Sequence, residues 1–183
     1  MNKEHCVYFT RHGETVWNVA NKICGSTDVE LTEKGRAQAR ALAERILKDK
    51  ISIDQIIYSP LIRAAETAKI ISGFTGIPAA EEIRLTEQNF GKYESTPRDG
   101  KEFAHAKENF IYSFDGGESM LKMAQRIYNV LDDIKADTDK TYLIVAHNGI
   151  SRIVESYFRD MTNEEFGAFG IHNCELLIHY FTI

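Results

Sequence analysis

Arg11 and His12 stand side by side at the end of an apolar run, "HCVYFT" (5–10), and Gly13 and Glu14 follow at once. A histidine next to an arginine is pushed toward its neutral, nucleophilic form. A second histidine, His147, closes the run "TYLIVAH" (141–147), with Gly149 two residues on. Between them lie Arg63 in "YSPLIRAAET" (58–67) and Glu87 in "LTEQNFGKYE" (85–94). Two arginines, two histidines and one carboxylate, all just after strands or at a helix start, suit phosphoryl transfer. The planar fork of arginine matches a phosphate bidentately. A neutral imidazole nitrogen can attack phosphorus and hold the phosphoryl group covalently. A second imidazole can donate to a phosphoryl oxygen as charge develops there. A carboxylic acid can protonate the leaving oxygen and then serve as base toward water.

These residues need elements to hold them. The run 5–10, rich in β-branched and aromatic residues, predicts a strand. Residues 11–30 carry Gly13, Asn18, Asn21, Gly25, Ser26 and Asp28 and predict a loop. Thr32 is a candidate N-cap for a helix whose stripe is Ala39, Leu42, Ala43, Ile46 and Leu47. Residues 53–59 predict a second strand, with Pro60 in the first turn of the helix that follows. Residues 79–85 read as a weak strand. A helix opens after Ser119, with Leu121, Ala124, Ile127, Tyr128 and Leu131 as its stripe. Residues 141–147, apolar throughout, predict a central strand. A helix from Asn148 and a final strand, "CELLIHYFTI", complete the chain. Strands alternating with helices predict an α/β fold, in which ligands collect beyond the carboxyl ends of the strands. His12 and His147 both fall there.

Residues 86–116 are polar and aperiodic, with scattered aromatics, and read as a lid or substrate loop within one domain spanning 1–183. Those aromatics read as lid packing. Lys92, Arg98, Lys101 and Lys107 near this lid would favour an anionic substrate or simply form a solvated surface.

Composition narrows the field. The chain has 183 residues, 43% hydrophobic and 27% charged, which is ordinary for a globular domain. Its formal net charge of -5 provides no general attraction for nucleic acid or anionic membrane. The three cysteines, Cys6, Cys24 and Cys174, share no metal-ligand or disulfide spacing and suggest a reducing compartment. With no run long enough for a membrane span and no signal peptide, a cytoplasmic protein is expected. A zinc site from His12 and His147 would lack companions at the usual spacing. His5, His105, His172 and His179 read as structural or surface groups. Cys24 lies beside the site, where the cations would lower its pKa and make it oxidisable.

"TRHGET" with Asn18, "LTEKGRAQA", "SPLIRAAETA", "LTEQNFGKYE", "GGES" and "AHNGISR" resemble the histidine phosphatase superfamily, its phosphoglycerate mutase-like branch. The match runs in order from about residue 6 to residue 152. The resemblance implies a three-layer α/β/α fold around a mostly parallel mixed sheet. It implies His12 as the nucleophile, Arg11, Arg63 and His147 as phosphoryl-binding groups, Asn18 as a further polar contact, and Glu87 as general acid and base. It implies that Gly13 lets its backbone approach the His12 ring and fix the tautomer. It puts Cys24 and Gly25 on the substrate side. It implies no metal and no cofactor.

The sequence also departs from the family pattern. Cys24 replaces a common glutamine before Gly25, Asn148 a common glycine after His147, and Ser95 a common glycine after "GKYE". Mutases of the family carry a longer insertion over the site. The short one here suggests a phosphatase acting on a small phosphorylated substrate. A phosphoglycerate mutase and a non-catalytic phospho-ligand module are the alternatives. The oligomeric state stays open, a homodimer included.

Overall fold

The computed structural model describes residues 5–182. Strand β1 (Cys6–Arg11) leads into a loop that contains one helical turn, α1 (Val16–Val19). Helix α2 (Glu33–Lys48), strand β2 (Gln55–Tyr58), helix α3 (Ile62–Thr75) and strand β3 (Ala79–Glu81) follow. The next elements are α4 (Lys101–Lys107), α5 (Met120–Ala136), β4 (Tyr142–Ala146), α6 (Asn148–Phe158), α7 (Asn163–Ala168) and β5 (Leu176–Tyr180). The strands form one sheet in the order β3-β2-β4-β1-β5. All neighbours are parallel except β5, which runs antiparallel to β1 at the edge.

Both faces of the sheet are covered, which is why β4 is apolar at every position and sits at the centre. Val7 and Phe9 of β1 and Ile144 of β4 pack with Met123, Ile127 and Ile150 on the α5–α6 side. Leu143 and Val145 point the other way, to Leu42, Ile46 and Ile71 of α2 and α3. Alternate residues of one strand thus feed two cores. Thr32 and Ser119 cap α2 and α5 as their sequence positions predict. Among the described residues no helix is long and apolar enough to cross a membrane.

Several local expectations need correction. Pro60 lies ahead of α3, because Ser59 N–H still donates to Val145 on β4 (3.1 Å) and the chain turns through Pro60 and Leu61 before helix begins. Only 79–81 of the expected 79–85 strand pairs with β2. Glu82 then accepts from the backbone N–H of Arg84 (3.0 Å) and winds Ile83–Leu85 into a 3-10 turn. Leu47 and Leu121 are exposed, and the inward stripe of α5 begins instead at Met120 and Met123. Helix α7 has no counterpart among the expected elements, although Thr162 and Glu165 form a reciprocal capping box at its start. The lid segment contains α4, and its Phe90, Phe103, Ala106 and Phe114 form an apolar cluster with Ile23 of the loop after β1.

Candidate active site

Register assembles the site. Arg11 is opposite Ala146 and Tyr58 is opposite Val145, so β1, β4 and β2 end level with one another. The next residues, His12, His147 and Ser59, are therefore neighbours at the carboxyl edge. The His12 and His147 rings lie 5.2 Å apart, centroid to centroid. His147 is also the N-cap of α6.

His12 Nδ1 lies 2.7 Å from the carbonyl oxygen of Gly13. A carbonyl only accepts, so the proton is on Nδ1 and the lone pair of the neutral ring is on Nε2. Gly13 is required by close packing: a β-carbon there would come within 2.3 Å of the Gly35 carbonyl oxygen on α2. The Gly13 N–H donates to Thr67 of α3 at 3.1 Å, which pins the turn. His147 Nε2 meets the Ser59 hydroxyl at 2.7 Å, while its Nδ1 is buried without a partner.

Arg63 is fully buried on α3. Its terminal nitrogens donate to the carbonyls of Thr27 (2.8 Å) and Gly25 (2.7 Å), and its Nε is unpartnered. Glu66 pairs with Arg36, not with Arg63. Arg11 donates through Nη1 to the Ile171 carbonyl (3.0 Å), and its Nε is also buried and unpartnered. Two buried guanidinium donors without acceptors cost about 1–3 kcal/mol each. A tetrahedral oxyanion has the acceptors to satisfy them.

Burial drives His12 well below the ordinary histidine range, and the charges of Arg63 and Arg11 push it the same way, against the Gly13 hydrogen bond. Burial does the same to His147, with Arg63, His12 and Arg11 adding to it. Both rings are neutral at pH 7. Arg11 is pulled down to about 10 by burial and by Arg98 and Arg63, against Glu87, and keeps its charge at pH 7.

Glu87 is 5% exposed. One carboxylate oxygen accepts from Gly149 N–H (2.8 Å) and the other from Gln88 N–H (2.9 Å), so the group is clamped between lid and floor. Gly149 allows this approach, since a β-carbon would lie 2.5 Å from a Glu87 oxygen.

A cleft of about 150 Å³ is lined by Arg11, His12, Glu87, Asn18, Cys24 and Asn148, among others. Gly25, Arg63 and His147 are not part of its lining, although the His147 ring lies beside that of His12. Asn18 also helps cap α1, where its side chain accepts from Thr15 N–H (3.1 Å). Cys24 requires correction. Burial raises its pKa, and this outweighs the lowering by Arg63, so the thiol is not activated.

The cleft also contains Phe90, Phe103, Arg98, Lys107 and Arg152. The charge pattern singles out Arg98 and Lys107 near the lid, but not Arg152, one turn into α6. Lys92 instead pairs with Asp115 (2.6 Å). Glu94 is a further group that the sequence does not flag. It accepts from the N–H groups of Gly25, Ser26 and Phe90 and from the Thr27 hydroxyl, at 2.8–3.1 Å. The segment before β5 closes the site as well: Asn173 donates to the His12 carbonyl (2.8 Å), and Asn148 accepts from Ile171 N–H (3.0 Å). No spacing in the sequence points to these contacts. Among the described residues, no group of three or more His, Cys, Asp or Glu could hold a metal ion.

A mostly parallel α/β sheet with two neutral histidines and buried guanidiniums at its carboxyl edge defines the class. The family description "Histidine phosphatase superfamily (branch 1)" matches residues 7–182, and the chain belongs to that family. It is 36% identical over 149 residues to a probable phosphoglycerate mutase GpmB of Yersinia pestis (strain Pestoides F), covering 77% of this chain and 68% of that one. A mycobacterial glucosyl-3-phosphoglycerate phosphatase superposes with a TM-score of 0.82 at 27% identity, over 95% of this chain and 92% of the other. Bacillus stearothermophilus YhfR superposes with a TM-score of 0.83 at 30% identity, over 94% and 89%.

Proposed function

We propose that the chain hydrolyses small phosphate monoesters through a phosphohistidine at His12, without a metal. The observation that carries this is the His12 ring: neutral, with its proton held on Nδ1 by the Gly13 carbonyl. The Nε2 lone pair attacks phosphorus and the ester P–O bond breaks. Glu87 gives its proton to the departing alkoxide. The Glu87 carboxylate then takes a proton from water, whose oxygen attacks phosphorus. The P–N bond breaks, inorganic phosphate leaves, and His12 and Glu87 are restored. Arg11, Arg63 and His147 would hold the phosphoryl oxygens, the two arginines through guanidinium donors that now lack partners, and Asn18 would add a polar contact.

The phosphatases among the similar structures support hydrolysis. The 36% identity to a probable phosphoglycerate mutase supports a second reading, isomerisation. The test is phosphate release from p-nitrophenyl phosphate in EDTA, with trapping of an acid-labile, alkali-stable label on the protein. Release and a label absent from His12→Ala are expected. An unlabelled protein that still turns over would overturn the scheme. Isomerisation of a phosphoglycerate faster than its hydrolysis would establish the mutase reading. Glu87→Gln should slow alkyl esters far more than aryl esters, whose leaving groups need less protonation.

A further inference from the structure

The cleft holds more positive charge than one phosphoryl group requires. Arg11, Arg98, Lys107 and Arg152 line it against a single carboxylate, Glu87. This surplus is concentrated in a chain whose formal net charge is -5. Among the described residues, none of Arg98, Lys107 and Arg152 has a carboxylate within ion-pair distance. Each is held by other means. Arg98 donates to the Lys22 carbonyl (3.0 Å), Arg152 donates to the Phe169 carbonyl (2.7 Å), and the Lys107 ammonium sits 5.4 Å from the Phe103 ring centroid. Arg98 is exposed, but Lys107 and Arg152 are half-buried, and half-buried cations without counter-ions are costly unless an anion joins them. Lys107 carries that strain: burial, with Arg152 and Arg98 beside it, brings it down to about 8 against the pull of Glu87.

A second cavity, of about 470 Å³, lies on the far side of the same wall. Lys107 and Arg152 line both spaces. The far cavity adds Ala104, Phe110, Met120 and Phe166, an apolar surface between α4 and α7, with Glu108, Asn163 and Glu164 also in its lining. From this juxtaposition we propose a second subsite: Lys107 and Arg152, with Arg98, bind an anionic group on the alcohol portion of the substrate, and the cavity beyond accepts an apolar body attached to it. The substrate class is a phosphate monoester of an anionic, amphipathic alcohol. The assignment rests on the phosphatase reading for its first subsite and adds the side of the molecule that leaves.

Three phosphate esters separate the two subsites: a neutral alkyl ester, the same ester with a carboxylate, and the carboxylate ester extended by a phenyl group. The kcat/KM for the carboxylate ester should exceed that for the neutral one by at least about tenfold, as one or two charge-assisted hydrogen bonds allow. Lys107→Gln and Arg152→Gln should each collapse that ratio, and Lys107→Arg should preserve it. Gly167→Leu adds bulk at the rim of the far cavity, from a backbone position where a β-carbon meets nothing within 4 Å. It should lower the preference for the phenyl ester alone. Hydrolysis of all three esters at equal rates, or a ratio unmoved by both charge-removing variants, would overturn the subsite while leaving the phosphatase reading intact. Calorimetric binding of the matching phosphonates reads the same ratios without turnover. A protein that binds them selectively yet releases no phosphate would overturn the phosphatase reading and keep the subsite.

Discussion

The floor of the cleft and its lid meet around the same small space but are held by different forces. The floor is a mesh of buried polar groups at the carboxyl edge of the sheet: His12 on Gly13, His147 on Ser59, Arg63 on Gly25 and Thr27. The lid is a nest of rings, with Phe114 against Phe90, Tyr93, Phe103 and Tyr112 at centroid distances of 5.4–6.2 Å. Directional bonds give the floor one geometry. Ring packing gives the lid cohesion with more tolerance. Glu87 and Glu94 tie the two together, each accepting backbone N–H groups across the gap. The nucleophile proposed above stands on the floor, whereas the proposed proton donor Glu87 comes from the lid segment, and the proposed substrate subsite joins Lys107 of the lid to Arg152 of α6.

That contrast can be broken. The largest effect is expected on the floor. His12→Ala should cut phosphate release by at least roughly 10⁴-fold, the scale on which removing a covalent nucleophile acts. The circular dichroism spectrum should stay unchanged. Retained turnover would mean that the neutral ring at position 12 is a packing group.

In the lid, Phe114→Ala should cost about 3–5 kcal/mol of local packing. Hydrogen exchange should show faster exchange of amides in 90–114 and unchanged protection in β1 and β4. Equal loss in β4 would make lid and floor one cooperative unit, with no difference in how they are held.

Acid should act on the floor. An unfolded histidine titrates near about 6.5. In the folded chain, burial holds His12 and His147 well below that value. Below about pH 6.5 the unfolded state therefore binds protons that the folded state does not, and stability falls as the pH falls. The slope approaches about 1.4 kcal/mol per pH unit for each such histidine, until the folded-state pKa is reached. Above that window both forms are neutral and the contribution is fully present. Urea unfolding at pH 7.5 and 5.5 measures it, and His147→Asn should make the pH dependence shallower. An unchanged dependence would place a charged imidazole in the folded site.

The smallest effect lies in the lid. Ser95 adopts a left-handed backbone, φ 66°, in the position where the family pattern has glycine. Ser95→Gly should stabilise the chain by about 0.5 kcal/mol, the relief of left-handed strain less the added entropy of an unfolded glycine. A lower thermal midpoint would mean that the serine side chain contributes something that compensates for the strained backbone.

The floor was largely legible because its chemistry restricts residue types. Few side chains substitute for a histidine beside an arginine at a strand's end, or for a glycine where the turn after β1 presses on α2. The lid was less legible. An aperiodic stretch with scattered aromatics announces packing without saying which rings meet, and α4 has too few residues for a periodicity to show. Arg152 was missed for a different reason. It lies on a regular helix, where cations are ordinary surface residues, and only the direction of α6 turns it into the cleft. The Cys24 expectation failed because proximity to cations was visible in the sequence and burial was not. Asn173 and Ile171 act through backbone and amide contacts that many residue types would satisfy, so their identities carry little signal.

What the amino-acid order determined by itself is the set of parts: an alternation of strands and helices, and two histidines placed one residue past the strands that hold them. That follows from local rules, since side-chain period and turn chemistry act over a few residues. What only tertiary structure decided is which parts face each other. The parallel register sets His12 beside His147, and the folding of the lid over α6 surrounds Lys107 and Arg152 with two cavities. Those pairings span many tens of residues, and they follow from how the two faces of one sheet are buried.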